Sequence, residues 1–190
     1  MKATGIVRRI DDLGRVIIPK EIRRSLRIRE GDPLEIYVED GAIIYKKYHP
    51  ISSLSSFVGK FANVLESLSS HSVLITDRDS VVAVSGVSKR QYIEQAISNE
   101  LETVIESRRQ YTYTHDNVVH PTFDANCRPA SLVIPIIANG DVYGSVVLLA
   151  DDRIQVPSEV DVKLAQNTAA SVGSMLEERY NEIYDKTRTA

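Results

Sequence analysis

Residues 3–48, ATGIVRRIDDLGRVIIPKEIRRSLRIREGDPLEIYVEDGAIIYKKY, decide the architecture of this chain. Ala3 to Ile10 reads as a strand, and Asp11-Asp12-Leu13-Gly14 supplies turn residues. Val16-Ile17-Ile18 is a β-branched run that favours a second strand. Pro19 suits the first position of a short helix, where its missing N–H costs nothing, and Glu21 suits the positive end of the helix dipole. Ile22 and Leu26 are spaced to face inward, which turns Arg23, Arg24 and Arg27 elsewhere. Gly31-Asp32-Pro33 breaks the chain. Leu34 to Glu39 and Ala42 to Lys47 then alternate apolar and polar residues around Asp40-Gly41, a strong two-residue hairpin signal.

Charge singles out the same stretch. Residues 1–50 hold eleven Lys and Arg against eight Asp and Glu, a net of +3, whereas residues 51–190 are net −6 and the whole chain −3. Residues 1–29 alone carry nine basic against three acidic side chains. Such a block attracts phosphate whatever the rest of the chain carries, the plainer alternative being a solvated basic face. Arginine suits the task because its planar fork donates two parallel hydrogen bonds to a phosphate or a guanine edge. Size adds a constraint. A module of about fifty residues with no Trp, no cysteine pair and no metal-ligand cluster has a marginal core. A partner chain is the support left open, so an obligate dimer is expected.

The remainder has a different character. Ile51, Leu54, Val58, Phe61, Leu65 and Leu68 form an a/d-like seam, giving an amphipathic helix over 51–70 that links two domains. Pairing between chains and packing on its own domain both remain open for it. Residues 71–184 read as α+β. Ser72 to Thr76 and Val81 to Ser85 are strands around a tight turn, and Lys89 to Arg109 is helical with a break near Ser98-Asn99. Leu132 to Ala138 and Val142 to Ala150 flank an Asn139-Gly140 hairpin turn. A long amphipathic helix closes the domain, with residues 185–190 expected to fray.

Composition and motifs exclude several classes. Hydrophobic content of 43% and charged content of 26% are those of an ordinary globular protein, not a disordered or fibrous one. No apolar run is long enough to span a bilayer, and the amino terminus lacks a signal-peptide core. The single cysteine, Cys127, rules out an intrachain disulfide framework. A cytoplasmic protein is expected. No nucleophile elbow, phosphate-binding loop, HExxH or CxxC motif occurs, so no enzymatic activity and no cofactor are expected. His115, Asp116, His120, Asp124 and Cys127 crowd into one polar stretch but match no standard zinc spacing, so no metal is expected either. The irregular 110–130 connection is the best place for a small-molecule cavity, with Tyr92, Tyr111, Tyr113 and Phe123 as candidate linings. Ordinary packing of these aromatics is the simpler alternative.

Residues 3–48 closely resemble the DNA-binding domain of the AbrB family of bacterial transition-state regulators. The likeness runs through Gly14-Arg15-Val16, Ile18-Pro19 and the Arg23-Arg24 pair. It implies a swapped-hairpin β-barrel formed by two intertwined chains. It also implies contacts to double-stranded DNA from Arg8, Arg15, Arg23 and Arg24, with Arg9 and Lys2 extending the basic face. Residues 72–86, SVLITDRDSVVAVSG, and 133–152, VIPIIANGDVYGSVVLLADD, resemble the central strands of a GAF domain. That likeness implies an α+β sensor-type domain, but identifies no ligand. The two together resemble sporulation regulators that both activate and repress, which implies a nucleoid-associated protein. A second contact through the GAF-side helices would make the dimer a homotetramer. An alternative is an antitoxin-like protein that uses the barrel for DNA and its carboxyl-terminal part for a protein partner.

Overall fold

A computed structural model describes residues 5–69, 71–151 and 156–188, with side chains to 181. The chain divides into two compact units, residues 1–48 and 49–190.

The described residues of the first unit form one short helix, α1 (Lys20–Ser25), and one hairpin, β1 (Leu34–Glu39) with β2 (Ala42–Lys47). The hairpin pairs in full register from Leu34 opposite Lys47 to Glu39 opposite Ala42. Asp40 and Gly41 both take positive φ, 48° and 74°, the two-residue turn whose twist matches that of the strands it joins. Pro19 stands at the N-cap, one residue earlier than the sequence suggested. The exit from α1 is fixed by Lys47 Nζ, which donates to the Arg27 carbonyl at 2.9 Å and pairs with Asp32 at 3.1 Å.

Two expectations fail here. The described parts of Ala3–Ile10 and Val16–Ile18 belong to no strand. In the single chain the described parts of these segments join neither sheet, and a strand is defined by the ladder it joins. Leu26 is exposed rather than packed inward beside Ile22, because the unit offers nothing for it to pack on. None of the described residues between 5 and 48 is buried. The described residues of this unit form no buried core.

The second unit is the reverse. A 3-10 turn (Ser52–Leu54) leads into α2 (Ser55–Leu68). Five antiparallel strands follow: β3 (Ser72–Asp77), β4 (Val81–Ser85), β5 (Tyr111–Thr112), β6 (Ala130–Ala138) and β7 (Asp141–Leu149). They lie in the order β4-β3-β7-β6-β5. Strand alternation sends Val73, Ile75, Leu132, Ile136, Val146 and Leu148 to one face, where α2 and α5 (Glu159–Arg188) cover them. Leu74, Val133 and Val147 point to the other face. They meet Tyr92 from α3 (Lys89–Tyr92) and Leu101 and Ile105 from α4 (Asn99–Ser107).

The seam helix therefore packs on its own sheet through Val58, Ala62 and Leu65. The helix expected over Lys89–Arg109 is two short helices: α3 ends at Tyr92, residues 93–98 are not helical, and Ser98 is the N-cap of α4, its hydroxyl accepting the Leu101 N–H at 3.0 Å. The last helix continues to Arg188, past the end near Tyr184 that the sequence suggested.

Candidate nucleic-acid interface

The basic face is built on a turn and a helix. Asp11 organises the turn: its Oδ1 accepts the Leu13 N–H at 3.1 Å and the Arg15 N–H at 2.7 Å. Gly14, at φ 76°, closes the loop by donating to the Asp11 carbonyl at 3.0 Å, and Asp11 N–H returns to the Arg15 carbonyl at 3.1 Å. The same carboxylate takes Arg15 Nε at 2.7 Å through Oδ2. The Arg15 backbone N–H, then its guanidinium, hold the Asp11 carboxyl below its ordinary range. With Nε engaged, the Arg15 guanidinium keeps its terminal nitrogens for another acceptor.

Arg23 and Arg24 occupy the last turn of α1, where positive side chains suit the negative end of the dipole. Arg8 and Arg9 precede the Asp11 turn. All five arginines are exposed. Exposed guanidinium groups on a turn and a helix have the chemistry to meet the phosphates of a duplex and the base edges between them. Lys2 lies outside the described residues.

Of the four aromatic residues expected to line a cavity, Tyr92 and Tyr111 share one core cluster and the other two lie outside it. Tyr92 is buried, and its hydroxyl accepts the Arg128 N–H at 3.3 Å. Tyr111 is buried, its hydroxyl donating to the Asn117 carbonyl at 2.7 Å and accepting the Val119 N–H at 3.3 Å. Burial first, and a neighbouring phenol or thiol after it, raise both phenol pKa values, so both serve packing as neutral groups. Tyr113 is half-buried with its ring edge-on to His115. Phe123 is exposed beside a cleft lined by residues 98–100, 120 and 122–125.

Two features escaped the sequence. That cleft joins the start of α4 to a loop more than twenty residues away, a proximity that spacing does not reveal. His49 Nδ1 lies 3.2 Å from Asp77 and 3.9 Å from Asp79, the one grouping of three ligand-type side chains among the described residues. His115, His120 and Cys127 form no such grouping among them.

Comparison with known proteins follows the same division. The family of the carboxyl-terminal, transcription-factor part of stage V sporulation protein T matches residues 53–177. The MazE family of antidote-toxin recognition, bacterial antitoxins, matches residues 7–51. Transition state regulatory protein AbrB of Bacillus subtilis (strain 168) is 66% identical over 50 residues, 26% of this chain and 52% of that protein. The blue-light absorbing form of the Thermosynechococcus elongatus PixJ GAF domain superposes with a TM-score of 0.51 at 14% identity. The match covers 75% of this chain and 95% of that one, so the second unit has the GAF fold. Stage V sporulation protein T of Bacillus subtilis (strain 168) is 48% identical over 180 residues, 94% of this chain and 100% of that protein. With a relative of that identity along nearly its whole length, the chain belongs to the stage V sporulation protein T family of transcription factors.

Proposed function

We propose that this protein regulates sporulation genes, as activator and repressor, by gripping double-stranded DNA with a barrel made from the first units of two chains. The observation that carries the reading is the first unit's composition in space. None of its described residues is buried, yet it exposes Ile6, Val7, Ile10, Leu13, Val16 and Ile17 within twelve residues, and Ile36, Val38 and Ile43 on its hairpin. Apolar surface of this extent in so small a unit calls for a cover. A second copy provides one with matching chemistry. Residues 5–10 and 15–18 of each chain carry strand-forming side chains outside any strand, joined by the Asp11–Arg15 turn, and two such segments can build ladders with each other.

Dimerisation then doubles the arginine set. Lys2, Arg8, Arg9, Arg15, Arg23 and Arg24 of both chains form one positive face, which sets register on the duplex and supplies the sequence-reading forks. Identity of 66% to a transition state regulatory protein over this unit supports the assignment. The second unit is the proposed seat of further self-association to a tetramer through α2 and α5, and of an input from a small molecule. Such an input shifts DNA binding only by its differential affinity for two arrangements of the protein. A cytoplasmic, nucleoid-associated location accords with this role, and no described helix is long and apolar enough to cross a membrane. The antitoxin reading draws on the family match over residues 7–51 alone, whereas the full-length relative is a sporulation protein.

The test pairs light scattering of the whole chain with fluorescence anisotropy on promoter DNA from a spore-forming host. A stable monomer that still binds DNA at full affinity would defeat the proposal.

A further inference from the structure

His71 stands just before β3, whose first residue, Ser72, faces Leu149 across the ladder with β7. Its side chain is 1% exposed. Nδ1 lies 3.1 Å from the Leu149 carbonyl oxygen, a group that can only accept, so Nδ1 bears a proton. Nε2 is buried, has no hydrogen-bond partner, and lies 3.8 Å from Asp161 Oδ2. An ionised carboxylate also only accepts. In the neutral ring, Nε2 therefore turns a lone pair toward a negatively charged oxygen, out of reach of water. The neutral ring satisfies one of its two neighbours, whereas the imidazolium satisfies both.

The second partner is fixed as firmly as the first. Asp161 is the third residue of α5. Its Oδ2 accepts the Ser158 N–H at 3.0 Å and the Ser158 hydroxyl at 2.7 Å, while Ser158 Oγ accepts the Asp161 N–H at 3.2 Å. This reciprocal box opens the helix and holds the carboxylate in place. Further along, Ala165, Ala169 and Val172 lay α5 on the sheet. The sheet thus presents the Leu149 carbonyl to His71, and α5 presents the Asp161 carboxylate. Among the described residues Asp161 is the one charged group within ion-pair distance of the ring.

Buried polar atoms are almost always satisfied, and an exception marks a missing partner. Here the missing partner is a proton. We propose that His71 and Asp161 form an acid-strengthened clasp, in which a proton taken from solvent onto Nε2 turns two opposed acceptors into an ion pair. The pair fastens the first turn of α5 to the sheet, and return of the proton to solvent loosens that turn. A contact made by the charged ring contributes stability that is present below the ordinary histidine value, about 6.5, and is lost as the ring gives up its proton at higher pH. The clasp lies wholly within the second unit and does not depend on how the first meets DNA.

The experiment is hydrogen exchange of the full chain, read by mass spectrometry over residues 162–165 and corrected for intrinsic rates. It is run at about pH 5 and about pH 8, the limits between which histidine ordinarily changes charge. His71→Asn keeps an amide N–H where Nδ1 stands and leaves nothing where Nε2 stands. His71→Gln sets a neutral amide donor where Nε2 stands. The parent is expected to exceed the His71→Asn variant in protection by a factor about ten times larger at the acid pH than at the alkaline one, the loss typical of a hydrogen bond to a charged group. The His71→Gln variant is expected to protect this turn equally at both. Should neither variant fold, the parent alone carries the test: its residues 162–165 should lose about tenfold in protection from acid to alkaline pH relative to residues 58–65 of α2. Parent protection that tracks α2 at both pH values would overturn the clasp, as would a His71→Asn loss of the same size at each.

Discussion

Asp11 holds Arg15 twice, through the backbone N–H at 2.7 Å and through Nε at 2.7 Å. One carboxylate therefore shapes the turn and aims the guanidinium that the turn presents. This creates an unusual expectation for Asp11→Ala. Removing a negative charge beside a DNA-binding surface should, on electrostatics alone, tighten binding. Loss of the turn should instead weaken it, by about tenfold, because a freed Arg15 must be ordered on the duplex. Anisotropy titrations of the parent and Asp11→Ala at one salt concentration decide between the two signs.

The arginines contribute differently from one another. If each chain neutralises about four phosphates, log affinity of a dimer falls against log salt with a slope of roughly −7. Arg23→Ala with Arg24→Ala removes up to four cationic groups per dimer and should flatten that slope by roughly 3 to 4. An unchanged slope and affinity in this variant or in Arg15→Ala would remove those residues from the interface.

Two glycines in the helices that cover the sheet predict opposite changes in stability. A Cβ on Gly173 of α5 would lie 2.4 Å from the Ile137 carbonyl oxygen, a backbone atom of β6 that cannot step aside. Gly173→Ala should destabilise the second unit by about 1–3 kcal/mol through this overpacking. A Cβ on Gly59 of α2 meets nothing within 4 Å. Gly59→Ala should stabilise by about 0.5–1 kcal/mol through helix propensity and reduced unfolded-state entropy. Thermal melts of the two variants should move in opposite directions.

Asp77 carries a pH signature. Burial pushes its carboxyl pKa up, but the hydrogen bond from His49, the Asp79 and Ser80 N–H groups, and the His49 charge together outweigh it, so the net shift is downward. A depressed acid contributes stability that is present above its unfolded value, about 3.9, and is lost as pH falls through the lower folded value. Asp77→Asn should therefore lower stability at neutral pH and make the melting temperature less sensitive to acid below about pH 4. If parent and variant lose stability in parallel across that range, Asp77 is not the group responsible.

Much of this protein is written in local sequence. Asp40-Gly41 and Asn139-Gly140 specify their hairpins because both residues of such turns need positive φ, which these types tolerate. Ser98 announces the start of α4 because a hydroxyl there satisfies an otherwise orphaned N–H. The arginine positions, and the likeness to a DNA-binding family, were equally legible. Failures came where partners are distant. Ala3–Ile10 and Val16–Ile18 have strand-forming residues, yet the described part of neither belongs to a strand, since a strand exists only by its ladder. Tyr92, Tyr111, Tyr113 and Phe123 looked alike as aromatics in or near an irregular segment. Packing put the first two in the core, left the third half-buried and set the fourth beside a cleft.

The sequence by itself determined the basic first unit, its turns and the helix that follows them, because dihedral preference and charge belong to single residues and their neighbours. Only the tertiary structure decided that Asp77 meets His49, that Gly173 lies under the Ile137 carbonyl, and that Glu100 and Asp124 line one cleft with Phe123. Those relationships depend on how strands twenty to eighty residues apart stack into one sheet. No residue carries that information alone, because close packing is a property of the whole core.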